Sequence, residues 1–198
     1  MEFRRVLPPI TDRQIAPRMS DAYTIAEHQH RLAAWAAGRA ASVKGCRFTV
    51  QQAKGFLEAA GFVAEFASPT ALPSPVDMDR THRSWRKAIV KAAKAKKIEI
   101  THGVAAKLIN IYLKVRFVCG GHHEHERVKC LHPPIDAVLL NELARENLGG
   151  LAKQWRKYQK RRWSNFDSAT YEQVVEDIRS ALDGEPFWKI EEHWEGHQ

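Results

Sequence analysis

Apolar positions recur three and four residues apart along most of this chain, the spacing of helices that bury one face, and alternating strand patterns are scarce. Ser20-Asp21 predicts the cap of a first helix running to about Ser42, with Ile25, Leu32, Trp35 and Ala36 on its inner face. Its alanine-rich part, residues 33–41, predicts close helix packing. Thr49 predicts a second cap, with a helix to Ala60 and Gly61 as its stop. The proline-rich stretch 68–76 is the best internal boundary. A third helix is expected from 77–79 to about Lys97, carrying Trp85, Ile89 and Ala93. After the short join Ile98-Glu99-Ile100, a fourth is expected behind Gly103, with Val104, Leu108, Ile111, Tyr112 and Val115. Residues 119–132 are expected to be a loop, and Pro133-Pro134 to open a fifth helix ending near Glu146. Gly149-Gly150 breaks that helix, and a sixth follows to Arg162. Ser168 predicts the cap of a seventh, with Tyr171, Val174, Val175 and Ile178 as its core stripe. Phe187, Trp188, Ile190 and Trp194 predict that the tail docks on the body. The expected architecture is all-α with about seven helices, an irregular arm over 1–19 and one domain over 20–198 that 68–76 would subdivide.

Composition narrows the class. The chain has 198 residues, 44% of them hydrophobic, enough for one cored domain. No run approaches the 18 or more apolar residues of a membrane span, and Met1-Glu2-Phe3-Arg4-Arg5 has no apolar stretch behind it. A soluble cytoplasmic protein is therefore expected. Three cysteines, an odd number without framework spacing, fit a reducing compartment.

The formal charge of +8 matters less than its distribution. Residues 80–116 hold 11 Lys or Arg against one acid, Glu99, and residues 150–163 hold six and no acid. From Asn165 onward nine acids face only Arg179 and Lys189. A basic middle and an acidic end predict a polarised field and a polyanionic partner, most simply double-stranded DNA. Candidate contacts are Arg83, Arg86, Lys87, Lys91, Lys94 and Lys97 on the third helix, with Lys114, Lys157 and Arg161. A merely solvated basic face is the alternative.

The sharpest chemical signal is His102-Gly103-Val104-Ala105-Ala106-Lys107, followed by Asp136 in Pro133-Pro134-Ile135-Asp136. A glycine at a helix start lets backbone approach a phosphate, and free N–H groups attract the anion. Lys107 lies one turn in. An amine held among apolar groups or other cations has a lowered pKa and becomes a nucleophile. Asp136, at the start of the next helix, would be kept ionised by the helix dipole and could stabilise charge on a reacting sugar. Taken singly, the lysine also reads as a solvated side chain and the aspartate as a helix cap.

This layout resembles the helix-hairpin-helix DNA glycosylases, which run G-V-G-x-K and later a Val/Pro-x-D. Here Ala105 replaces the second hairpin glycine, and a His-rich segment lengthens the gap to the aspartate; the match covers about 101–145. The resemblance implies a glycosylase-like helical bundle with glycosylase and abasic-site lyase activity. It also implies that Lys107 attacks the sugar, that Asp136 assists, and that His102, Gly103, Val104 and Ala105 hold the DNA backbone.

Other features point elsewhere. Cys119, His122, His125 and Cys130 have side chains suited to a structural Zn²⁺, though without a standard knuckle spacing, and no cofactor is otherwise expected. His123-Glu124-His125 lacks the downstream cysteine pair of a deaminase. Trp155, Tyr158 and Trp163 among basic residues resemble a stacking surface, with a core role as the alternative. Asp167 could serve as a second carboxylate, and His28 and His30 read as surface or packing residues. The competing functions are a non-catalytic helical nucleic-acid-binding or interaction module, with or without zinc, and an adaptor whose Lys96 and Lys97 meet an acidic partner.

Overall fold

The computed structural model describes residues 23–196, which form an all-α structure with no strand among them. The expected arm over 1–19 and the cap at Ser20-Asp21 lie outside the described residues. The helices are α1 (Ile25–Ala41), α2 (Val50–Ala59), α3 (Met78–Ala95), α4 (His102–Leu113), α5 (Glu126–Lys129), α6 (Ala137–Arg145), α7 (Ala152–Arg161) and α8 (Ser168–Leu182). α4 continues as a π-helical segment, Lys114–His122, and the chain ends in 3₁₀ turns over Phe187–His193. None of the described helices is long and apolar enough to cross a membrane.

Local chemistry explains most boundaries. Thr49 and Gln52 form a reciprocal capping box at α2, and Gly61, at φ +94°, stops it. Thr24, Thr101, Asp136 and Asp167 each accept a hydrogen bond from a first-turn N–H of α1, α4, α6 and α8. Four expectations shift accordingly. α4 starts at His102, so Gly103 sits inside the helix. α6 starts after Asp136, with Pro133 and Pro134 buried ahead of it. Asp167, not Ser168, caps α8. The π-helical segment runs through Cys119 before Gly121 breaks it at φ +89°, and 126–129 form α5, where a single loop was expected.

The face of α1 also differs from expectation. Its buried residues are His30, Ala33, Ala34, Ala37, Gly38 and Ala41, while Ile25, Leu32 and Trp35 are exposed. Small residues turn inward because α1 packs tightly: a Cβ on Gly38 would lie 2.9 Å from that of Ala53 on α2. Close approach took precedence over side-chain size.

Two apolar clusters meet at α4. One gathers α1, α2, α3 and most of α4, with Phe62, Leu72 and Phe117; because it draws on both sides of 68–76, that connector does not divide the core. The other joins α6, α7, α8 and the tail through Leu139, Leu143, Trp155, Tyr171, Ile178 and Ile190, and α4 contributes Ala106 to it. Trp155 and Tyr158 are thus core residues and not a stacking surface.

Beside α4 lies a buried polar network. Asn110 Oδ1 lies 2.8 Å from His82 Nε2, and the Asn110 amide donates to the Pro133 carbonyl and the Tyr171 hydroxyl. His132 contacts that hydroxyl and Asp79, which Arg179 grips with two 2.9 Å bonds. Arg86, fully buried, lies over the Tyr171 ring and donates to Glu172 and Ser168. It therefore braces the interior and is not part of a DNA-facing surface.

This packing generates two predictions. A Cβ on Gly103 would sit 1.9 Å from the Trp163 carbonyl oxygen, whereas Gly55, also helical, has open space. Gly103→Ala should destabilise the fold by about 1–3 kcal/mol, and Gly55→Ala should stabilise it by up to about 1 kcal/mol. Urea unfolding reads both, and equal effects would contradict the close approach. Burial also lowers the pKa of His82 and His132, so both rings are neutral when folded and take up protons near 6.5 when unfolded. Their stabilising contribution is complete above that pH and is lost below it, at up to about 1.4 kcal/mol per pH unit for each ring. Asp79, held at about 2 first by its hydrogen bond to His132, adds a further loss only as pH falls below about 4. Unfolding free energies should therefore fall as pH drops below 6.5; a flat profile would show that the rings take up protons alike in the folded and unfolded chain.

Candidate functional site

Every residue of α4 from Gly103 to Asn110 is buried, so a charged side chain on this helix has to find its partner inside the protein. Lys107 finds Asp136. Its Nζ lies 3.1 Å from Asp136 Oδ2, and the lysine is only 8% exposed. Asp136 is held from three directions. Oδ1 accepts the Leu139 N–H at 2.9 Å, which caps α6, while Oδ2 receives Lys107 and, at 3.1 Å, the indole N–H of Trp194. The lysine and aspartate singled out from the sequence are therefore in direct contact across the junction of the two clusters.

Aromatic rings and a second ion pair enclose them. The Lys107 ammonium sits 4.5 Å from the centre of the Trp163 indole, a cation–π contact. Lys114, at the start of the π-helical segment, pairs with Glu191 and lies over Trp194. Burial lowers the Lys107 pKa, and the neighbouring charges of Asp136 and Glu191 only partly restore it. Burial likewise raises the Glu191 carboxyl, against the pull of Lys114. The result is an amine closer to its neutral, nucleophilic form than a surface lysine, beside a carboxylate that can exchange a proton with it.

The remaining candidates separate into groups. Gly103, Val104 and Ala105 are buried against the segment 163–166, where the Gly103 N–H donates to the Phe166 carbonyl and the Thr101 hydroxyl donates to the Ser164 carbonyl. His102 is half-buried. The expected phosphate-holding hairpin is thus a helix start packed against protein backbone, and its N–H groups are not available to DNA. Lys114 is tied to Glu191, and Arg83 makes a two-bond contact with Glu172. Arg161 pairs with Asp167, which caps α8. Lys87, Lys91, Lys94, Lys97 and Lys157 are exposed, the first three on one outer face of α3.

The zinc set does not assemble. Among the described residues no group of three His, Cys, Asp or Glu side chains is placed to hold a metal. Cys119 and His122 are exposed, Cys130 is half-buried, and His125 accepts the Arg127 N–H at the start of α5. His30, on the inner face of α1, bonds the Tyr112 hydroxyl.

Trp194 and Glu191 escaped sequence reasoning. The aromatic content of an acidic tail signalled docking, but nothing in the spacing indicated that its indole would reach Asp136, 58 residues away. No protein-family model, no curated protein and no solved structure matches the chain, so its functional reading rests on the geometry of this pair and its surroundings.

Proposed function

We propose that this chain is a DNA glycosylase with associated abasic-site lyase activity, built on a helix-hairpin-helix-glycosylase-like bundle in which Lys107 is the nucleophile and Asp136 its proton partner. The 3.1 Å contact between Lys107 and Asp136 carries the reading, because two residues far apart in sequence meet in the arrangement this chemistry needs. The lowered pKa of Lys107 supports it, as does the exposed row of Lys87, Lys91 and Lys94, which suits a DNA backbone.

The chemistry balances within the pair. The Lys107 lone pair forms a bond to the sugar C1′ as the bond from C1′ to the base breaks, and the base leaves with the electron pair and takes a proton from solvent. Asp136 accepts a proton from the alkylated amine and returns it to the ring oxygen as the C1′–O4′ bond opens. That leaves a protonated Schiff base, with the positive charge beside the carboxylate. Loss of a C2′ proton then expels the 3′ phosphate.

A second reading is favoured by the closure of the site. Lys107 is almost inaccessible beside Trp163, and Trp194 holds its partner Asp136, as befits a structural ion pair in a non-catalytic nucleic-acid-binding module. On the catalytic reading the tail has to move before DNA can reach the amine.

Borohydride trapping on duplexes carrying damaged bases separates the two. The wild type should give a covalent adduct, and Lys107→Met, which keeps the apolar bulk and avoids a cavity, should give none while melting cooperatively. Trp194→Phe, which removes the hydrogen bond to Asp136 and keeps most of the ring, should speed adduct formation. Wild-type protein that yields neither adduct nor strand scission on any such duplex is the non-catalytic module.

A further inference from the structure

Two cavities share Val43 and Lys44 as lining, and neither is accounted for by the Lys107–Asp136 chemistry. The first, about 350 Å³, lies at the turn between α1 and α2 and gathers Arg39, Lys44 and Arg47 beside Ser42 and Thr49. All three cations are exposed, and none pairs with a carboxylate among the described residues. The second, about 270 Å³, is walled by Val43, Ala137, Leu140 and Trp163, with Lys44 and Arg162 as its cations. Two of its walls adjoin the Lys107–Asp136 pair. Ala137 follows Asp136 directly, and the Trp163 indole is the ring on which the Lys107 ammonium rests.

Arg162 supplies an independent sign. It is held at φ +66° and ψ 127°, a backbone conformation that only glycine adopts without strain. Its N–H bonds the Tyr158 and Gln159 carbonyls, and its side chain makes no ion pair among the described residues. A strained arginine, without a carboxylate and on the wall of an apolar cavity, suits a ligand that carries negative charge on a flat apolar body.

We infer that the two cavities form one nucleotide site for a nucleic-acid strand, with a backbone phosphodiester held by Arg39, Lys44 and Arg47 and an unstacked base lodged against Trp163 and Leu140 under Arg162. The phosphate chemistry follows from three unpaired cations around one cavity. The base chemistry follows from an aromatic and aliphatic pocket at the small end of ligand-binding volumes. The inference rests on the nucleic-acid reading above and deepens it, since it places an extruded nucleotide against the Trp163 ring that Lys107 contacts and adds strand contacts beyond the row on α3.

Fluorescence anisotropy with a labelled single-stranded oligothymidylate, with thymidine monophosphate as competitor, tests it on the full chain. Arg39→Ala/Arg47→Ala should weaken oligonucleotide binding by about tenfold. The same variant should reduce the steepness of the salt dependence by about 0.7 for each phosphate no longer neutralised. Arg162→Gly should raise the melting temperature, by relieving the backbone, and lower affinity at the same time. Lys87→Ala/Lys91→Ala/Lys94→Ala should have the smaller effect. If that α3 variant loses binding while the Arg39/Arg47 and Arg162 variants bind as the wild type does, the strand lies on α3; the inference falls and the nucleic-acid reading stands. If the monophosphate competes as strongly as the oligonucleotide at equal nucleotide concentration, the site is one for free nucleotides and the strand assignment is overturned. Absence of oligothymidylate binding by the wild type overturns the inference and leaves the duplex reading to the borohydride assay, whereas binding without borohydride adducts removes only the catalytic reading.

Discussion

The enclosure of α4 on all sides governs the rest of this structure. A helix packed between two apolar clusters has no solvent face on which to discharge a polar group, so each one it carries dictates a partner in another element. Lys107 dictates Asp136 at the start of α6, and Asn110 dictates His82, Tyr171 and the Pro133 carbonyl. Those partners fix where α3, α6 and α8 can lie. Breaking such a buried pair from one side typically costs about 3–5 kcal/mol. The pair is therefore both a structural joint and a place where the lysine pKa is lowered, and both follow from one cause, the exclusion of water.

Much of the fold was legible in the sequence because its signals are local. Thr49 with Gln52, Gly61, Gly149-Gly150 and the stripe Tyr171, Val174, Val175 and Ile178 all act within a few residues and placed α2, α7 and α8 within a turn. Where the local signals misled, the deciding contact was distant. Gly103 looked like a turn because glycine usually is one, but its lack of a Cβ serves the carbonyl of Trp163, 60 residues on. On α1, Ile25, Leu32 and Trp35 form a valid helical stripe, yet the face that packs inward is alanine and glycine apart from His30, because α1 approaches α2 closely at Gly38. A hydrophobic count cannot express that preference. Arg86 was indistinguishable from its exposed neighbours until Glu172 and Tyr171 were seen around it.

The site shows the same division. Lys107 and Asp136 were legible because helix-start chemistry and the proline break marked them. Their surroundings were not. Trp163 follows a run of basic residues and read as surface, and Trp194 lies in an acidic tail with no motif of its own. Together they enclose a pair that the sequence alone left exposed. The same burial lowers the lysine pKa and limits access to its amine.

The central claim is that Lys107 is a desolvated amine whose ionisation Asp136 controls. Titration of the Lys107 Nζ by ¹⁵N NMR, in the wild type and in Asp136→Asn, tests it most directly. The account predicts a pKa below the ordinary lysine range in the wild type and a lower one still when the carboxylate is neutralised. A wild-type pKa in the ordinary range that Asp136→Asn leaves unchanged would contradict it.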